Sequence, residues 1–461
     1  MLVERFLQLM ETGWQGTFAR HNSHQRAMEQ GIANLCIFGN RMISRLICAL
    51  GRAHQDWSAD YKLFSRSPWQ EDSLFEPVIH AFLERYSTGP VTLALDDTIL
   101  EKTGLKIPST TWLRDPNGPP FHTNFIRGLR FVQATLTFPL YREGDYSARS
   151  LPVRFSHAPL LKKPGLHAQP EERANYREAK KQYTLSHKAL EVIRGVRQSL
   201  DNQHASQRSL LVVADGSYCN QTMFRAPLER TSLLARCRKD AALCFPDLSP
   251  SRRKYSPHRF TPEQVRQDDC ATWKTIPLHY GATLRDVRYK EVTGVLWPRG
   301  ALDRPLRLLV LAPQPYQTSP LSKIHYRDPT YLLTTDLESD CSILIQAYLD
   351  RWQIECNHRD EKDILGVGEA QVRAATSVPR QPAFAVATYS LLLLAGLLEF
   401  GPGRTPDYIP LPKWRKRSRR PSILDLMAVL RKEIHETGDS GSPLANISSH
   451  ISHLSHLYAY T

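Results

Sequence analysis

The 461-residue chain has eight cysteines, at positions 36, 48, 219, 237, 244, 270, 341 and 356, and no two of them form a Cys-x2-Cys pair. Zinc ribbons and thioredoxin-type motifs are thereby excluded, and a reduced chain with mostly buried thiols is expected. No Gly-x4-Gly-Lys-(Ser/Thr) loop occurs, so ATP-driven translocation lacks its phosphate cradle and no nucleotide cofactor is expected. His-Glu-x2-His and Gly-x-Ser-x-Gly are missing as well, which removes the zinc-protease and α/β-hydrolase readings. No His-x2-Arg is present, which speaks against a tyrosine recombinase. Long apolar runs are scarce. The first residues carry Glu4 and Arg5 and do not read as a signal peptide. Residues 383–400 are borderline for a membrane span, but Glu399 near their end and Ser, Thr and Tyr within predict a buried core helix. A soluble, cytoplasmic chain with no membrane partner is expected.

Positive charge is abundant. Lys and Arg number 60 against 46 Asp and Glu, a net charge of +14, and the pI is near 9.4. Such a surplus attracts polyanions at long range without specifying any sequence. The length allows two or three domains with a real core. Residues 1–88 read as helical, with apolar residues at 3–4 spacing in 31–52 and 74–86. Arg41 and Arg45 stand one turn apart there and could suit a helix lying on DNA, although an ordinary amphipathic bundle accounts for the same pattern.

From residue 89 the pattern changes. Residues 91–95 (VTLAL), 129–141 and 149–155 read as strands, residues 170–200 as a charged helical stretch, and 210–214 (LLVVA) as a fourth strand. Strand, strand, strand, helix, strand is the order of an RNase H-like core, in which the first and fourth strands are neighbours. Each of those two ends in acid: Asp96-Asp97-Thr98 and Asp215-Gly216-Ser217. Adjacent carboxylates repel, and they make sense as ligands of hard divalent cations. A pair of such ions about 3.5–4 Å apart can activate water and stabilise the leaving oxygen of a phosphodiester. Helix capping or a turn is the alternative role for each aspartate. Only one of Asp96 and Asp97 can face the metals, since alternate strand residues point to opposite faces. The parallel Asp-x-(Ser/Thr) pattern favours Asp96, with Asp97 as the alternative first carboxylate.

The densest pattern is YLDRWQIECNHRDEK at 348–362. On an α-helix, offsets of 3, 7 and 14 from Tyr348 place Arg351, Glu355 and Lys362 at about 300°, 340° and 320°, on one stripe. One phenol, two cations and one carboxylate suit phosphate and metal, though an ion-paired, solvated face carries similar charges. Tyr-x2-Arg-x3-Glu-x6-Lys resembles the YREK signature of bacterial insertion-sequence transposases, in the insertion-sequence-four-like branch of the DDE superfamily. The resemblance covers residues 91–400 or so, and His358 departs from it, where relatives often have an aromatic.

The resemblance implies an α/β fold with an RNase H-like mixed sheet flanked by helices. It implies two Mg2+ or Mn2+ ions on Asp96, Asp215 and Glu355, and phosphate contacts from Arg351 and Lys362, with Tyr348 beside the cleaved strand. The reaction implied is cut-and-paste transposition on double-stranded DNA, at transposon ends and target, by a homodimer in the DNA complex. A DNA endonuclease without strand transfer and a non-catalytic basic DNA-binding regulator are the competing readings. Between Asp215 and Glu355 the chain is too long for one connection. Residues 224–325 are read as an inserted, largely β subdomain, where Trp273 and Trp297 are candidates to stack on a base or simply to pack. The expected organisation is a helical DNA-binding or assembly region (1–88), a first core part (89–223), the insertion, a second core part with the signature helix (326–400), and a tail (401–461). Arg373 is a further basic candidate. Trp352 is expected to pack its helix onto the core. In the tail, residues 413–420 hold six cations in eight, among them Lys413, Arg415, Lys416 and Arg417, and are expected to bind phosphate. Residues 422–434 form an amphipathic pattern that could pair chains.

Overall fold

The computed structural model describes residues 1–461 except 116–117, 120, 143–144, 248, 250–252, 281–282, 318–321, 412, 414–419, 438–444, 450 and 452–461. Arg415, Lys416 and Arg417 therefore lie outside the described residues. A ten-stranded mixed sheet runs through the molecule. Its strands are β1 (Val91–Glu101), β2 (Thr111–Arg114), β3 (Phe125–Arg142), β4 (Asp145–His157), β5 (Leu210–Ala214), β6 (Thr231–Arg236), β7 (Lys274–Tyr280), β8 (Thr283–Val295), β9 (Leu306–Leu311) and β10 (Thr330–Thr334). The order is β2-β3-β1-β5-β6-β10-β9-β8-β7, with β4 on β3.

Within it, β4-β3-β1-β5-β6 is the RNase H-like arrangement, with β1, β3 and β4 antiparallel and β5 and β6 parallel to β1. The fifth of these strands, β6, falls inside the span read as an insertion. The strands β7, β8 and β9 of that span continue the central sheet through β10, so this part of the chain extends the core. Leu243–Pro246 with Tyr255–Phe260 and Pro315–Tyr316 with His325–Tyr326 form two further two-stranded sheets, the first bridged through Cys244 to Leu296 just past β8.

The β5 run LLVVA is buried along its whole length, as an unbroken apolar strand covered on both faces should be. Leu210, Val212 and Ala214 join the large core. Leu211 and Val213 join a smaller one beneath Leu344 and Ile345 of the Cys341–Asp350 helix. On the large side the Ser377–Phe400 helix is the hub, and Leu2–Gly13, His21–Cys36 and Ile423–Thr437 pack around it. It is long and apolar enough to cross a membrane, yet 83% of its apolar window is buried inside the protein.

Two sequence expectations are corrected here. Arg41 is buried and precedes the Ile43–Ala49 helix that carries Arg45. Its guanidinium donates to the carbonyls of Asn34, Ile37 and Gly39, around the end of the His21–Cys36 helix, where unpaired carbonyls need donors. The apolar side of Ile423–Thr437 (Leu426, Met427, Leu430 and Ile434) is buried within this chain, so it is not a free face for pairing two chains.

Candidate active site

Parallel pairing of β1 with β5 runs from Val91↔Leu210 to Leu95↔Ala214. The next residue on each strand is an aspartate, so Asp96 and Asp215 leave the ladder side by side. Burial, with the nearby charge of Asp215 adding to it, pushes the Asp96 carboxyl up to about 7, while Arg351 pulls the other way. Its neighbour Asp97 points elsewhere, accepting from Arg130 Nε at 2.7 Å and Tyr218 Oη at 3.3 Å. Asp215 also caps the short turn that follows, with Oδ1 accepting from Ser217 N at 2.9 Å and Ser217 Oγ at 2.5 Å. Capping and facing the cleft are thus compatible for this residue.

The third element approaches from above the sheet. Arg351 separates the Cys341–Asp350 and Trp352–Arg359 helices while keeping helical dihedrals of φ −51° and ψ −30°. Its guanidinium spans two carboxylates: Nη2 to Glu355 Oε1 at 2.8 Å and Nη1 to Asp96 Oδ2 at 3.5 Å. Burial works against the arginine's charge, but Asp96 and Glu355 outweigh it and raise its pKa. Arg351 Nε is buried without a hydrogen-bond partner. Tyr348 lies under the same group, 5.9 Å from ring centre to guanidinium.

A cleft of about 950 Å³ opens here, lined by Asp215, Tyr348, Arg351 and Glu355 and, across from them, by Arg236, Arg238, Lys239 and Arg266. The last four were not singled out from sequence. The first three sit where β6 ends, in the run ARCRKD, and basic residues closing a buried strand beside β5 were the available signal. Arg238 is paired with exposed Asp240 and Arg266 with Glu263.

Lys362 does not line this cleft. The unbroken helical stripe expected over 348–362 is interrupted, because Asp360–Ile364 is a π-helical turn. Wider winding moves the side-chain phase away from the 3.6-residue repeat. Lys362 is half-buried, and burial lowers its pKa against the pull of Glu361, Asp363, Glu101 and Asp96. It therefore sits in the same electrostatic neighbourhood as Asp96, about two turns beyond Glu355. His358, on the same stretch, is held neutral, pushed down to about 3 by burial and by Lys362 and Arg351.

Trp352 is 56% exposed, contrary to the expectation that it packs the helix on the core. One residue past Arg351 is about 100° round the helix, and Ile354 and Asn357 take the buried side. Trp273 lies under Lys290 and Arg288 at 4.7 and 5.3 Å, and Trp297 packs edge-on to Phe224 at 5.7 Å. Arg373 and Lys413 are exposed and do not line the cleft.

Several polar ties fix the helix to the sheet. Asn357 Nδ2 donates to Ser150 O at 2.9 Å, and Tyr146 donates to Asp350. Helical winding stops at Gly366 and Gly368, whose φ values of 56° and 104° favour glycine. There buried Lys102, just past β1, donates to the carbonyls of Gly368 and Ala370, the latter at 2.9 Å. Among the described residues no three carboxylate, histidine or cysteine groups stand close enough together to hold a metal. Even so, the donor set suits a hard cation. All three acids offer oxygen, and the guanidinium between two of them already does a cation's electrostatic work.

The family model for the DDE superfamily endonucleases matches residues 20–301. The chain belongs to that family. The matched span carries both Asp96 and Asp215 and stops short of Glu355 and the signature helix. Membership implies a metal-dependent nuclease acting on DNA, in a family that usually uses divalent ions. No curated protein matches the chain.

Proposed function

We propose that this chain is a cut-and-paste DNA transposase of the YREK, insertion-sequence-four-like branch. The observation that carries this reading is the Arg351 bridge, which brings the helix carboxylate Glu355 to the strand carboxylate Asp96 while Asp215 stands at the next strand end. Asp96, Asp215 and Glu355 would hold two Mg2+ or Mn2+ ions, which when bound activate a water or a 3′-hydroxyl and neutralise charge on the leaving oxygen.

The protein's own part is positioning. Arg351, which lines the cleft, would present a planar fork to a phosphate. Tyr348 closes the cleft beneath it. Arg236, Arg238 and Lys239 give the opposite wall a positive potential that guides the DNA backbone. Asp97, tied to Arg130 and Tyr218, would support β1 and leave metal binding to Asp96. Water would attack one strand at the transposon end and free a 3′-OH, and that hydroxyl would then attack target DNA. Two ends have to be joined, so a homodimer in the DNA complex belongs to the same reading. Lys362, Arg373 and the tail cations Lys413, Arg415, Lys416 and Arg417 would add phosphate contacts outside the cleft.

The deciding experiment incubates purified protein with labelled transposon-end DNA, target plasmid and Mg2+. Ends joined to plasmid are the expected product. Cleavage without joining would reduce the chain to an endonuclease, and no metal-dependent cutting at all would leave a DNA-binding regulator.

A further inference from the structure

The π-helical turn that carries Lys362 also buries a carboxyl group for which the cleft chemistry has no use. Glu361 is 1% exposed, and its Oε1 accepts from Gln133 Nε2 at 2.6 Å. Among the described residues no cation comes within ion-pair distance of it, and burial raises its pKa well above the usual carboxylate range, against smaller pulls from Gln133 and Lys362. Gln133 is itself fully buried, and its Oε1 has no hydrogen-bond partner. This glutamine is the β3 residue directly opposite Asp96 in the β1–β3 ladder. A buried, unpaired carboxylate is costly, and a lone buried amide oxygen needs a donor. An uncharged Glu361 removes the first difficulty, and an ionised one does not.

We propose that Glu361 is a positioning residue that works as an uncharged acid: it clasps the Gln133 amide and thereby fixes the helix bearing Arg351 and Glu355 against the strand bearing Asp96. Glu361 is the buried residue of the π-helical turn, whose wider winding sets its side-chain phase apart from the 3.6-residue repeat. Its catalytic consequence rests on the transposase reading; its protonation state does not. The competing role, an ionised Glu361 serving as a metal ligand, makes the opposite forecast for an amide substitution.

Infrared spectra near neutral pH test the protonation directly. The carbonyl stretch of a protonated carboxyl group should be present in the native protein, survive in Asp96→Asn and disappear in Glu361→Gln. Cleavage of end DNA tests the positioning. Glu361→Gln, which keeps shape and neutrality, should cut within about threefold of native, whereas Glu361→Ala and Gln133→Ala should each cut about tenfold more slowly with unchanged DNA affinity. The double alanine variant should be no slower than the worse single one, as for two halves of one contact. If Glu361→Ala fails to fold, Gln133→Ala and Glu361→Gln still decide. A native spectrum without a band that Glu361→Gln removes would overturn the proposal, as would a folded Glu361→Gln as inactive as Glu355→Gln. Should the native protein not cut DNA, the transposase reading fails and the infrared band alone decides the state of Glu361.

Discussion

Asp96 sits within β1, where the pairing with β5 stops and that with β3 continues, and Asp215 directly follows β5, both strands being held by ladders on both sides, whereas Arg351, Glu355 and Lys362 ride a helix that is interrupted once at Arg351 and changes its winding at Asp360. The strand half places its groups by backbone hydrogen bonds, and a register shift of one residue would turn each side chain to the opposite face. The helix half is placed by side chains, through Asn357 to Ser150, Tyr146 to Asp350, Lys102 to the loop beyond, and Arg351 itself. Side-chain ties can rearrange when DNA arrives, and strand ladders cannot without unfolding. A rigid pair of acids facing an adjustable third acid and its arginine would suit the proposed reaction, which takes transposon ends and target DNA in turn.

The largest effect should come from the rigid half. Asp215→Asn is expected to lower strand cleavage by more than about a hundredfold, beyond what outer partners of metal ligands usually cost, while end binding by gel shift stays near native. Ordinary cleavage by this variant would break the comparison at its base. Asp96→Ala should be equally inactive. Asp97→Ala should keep cutting and lose stability instead, by about 1–3 kcal/mol for leaving Arg130 and Tyr218 without their acceptor, read by urea denaturation. A folded, binding but inactive Asp97→Ala alongside an active Asp96→Ala would shift the assignment by one register position.

The adjustable half should respond more gradually. Arg351→Lys keeps the charge and loses the fork, so it should bind DNA with a near-native salt slope and cleave poorly. Lys362→Ala should reduce the salt slope of end binding by about one unit and slow cleavage less than Arg351→Lys does, because Lys362 lies outside the cleft. A native slope would make Lys362 a purely structural residue. The smallest effect concerns His358. Its folded pKa, near 3, lies below the unfolded value of about 6.5. The unfolded chain therefore binds the extra proton between those values, and stability falls as pH drops through that window. His358→Gln should flatten the stability-versus-pH slope there by about one proton; an unchanged slope would mean that His358 is not held neutral.

Local pattern made the strand half readable. LLVVA is too short and too uniformly apolar for anything but a buried strand, and its observed bounds, Leu210–Ala214, are those expected. The order of elements then required β1 and β5 to be neighbours. The helix half was readable in its residue types and only partly in its geometry. Nothing between Trp352 and Ile364 resembles a break, for no glycine or proline occurs before Gly366, so a straight 3.6-residue wheel was the natural assumption and misplaced Lys362. Trp352 went astray for a related reason, since an aromatic in a helix is usually core and here that face was taken by Ile354 and Asn357. The cations after β6 were missed because β6 had been counted with the insertion.

By itself the sequence determined the identity of the chemical groups and the order of the elements that carry them, because periodicity, apolar runs and turn residues are local properties. Only the tertiary structure decided which groups meet. Whether Asp96 or Asp97 turns toward Arg351 depends on the β1 ladder with β3 and β5, and whether Lys362 reaches the cleft depends on a π-helical turn settled by packing against the sheet. The insertion's strands join the central sheet by pairings between residues far apart in the chain. Such contacts depend on the chain closing long loops, which no window of neighbouring residues records.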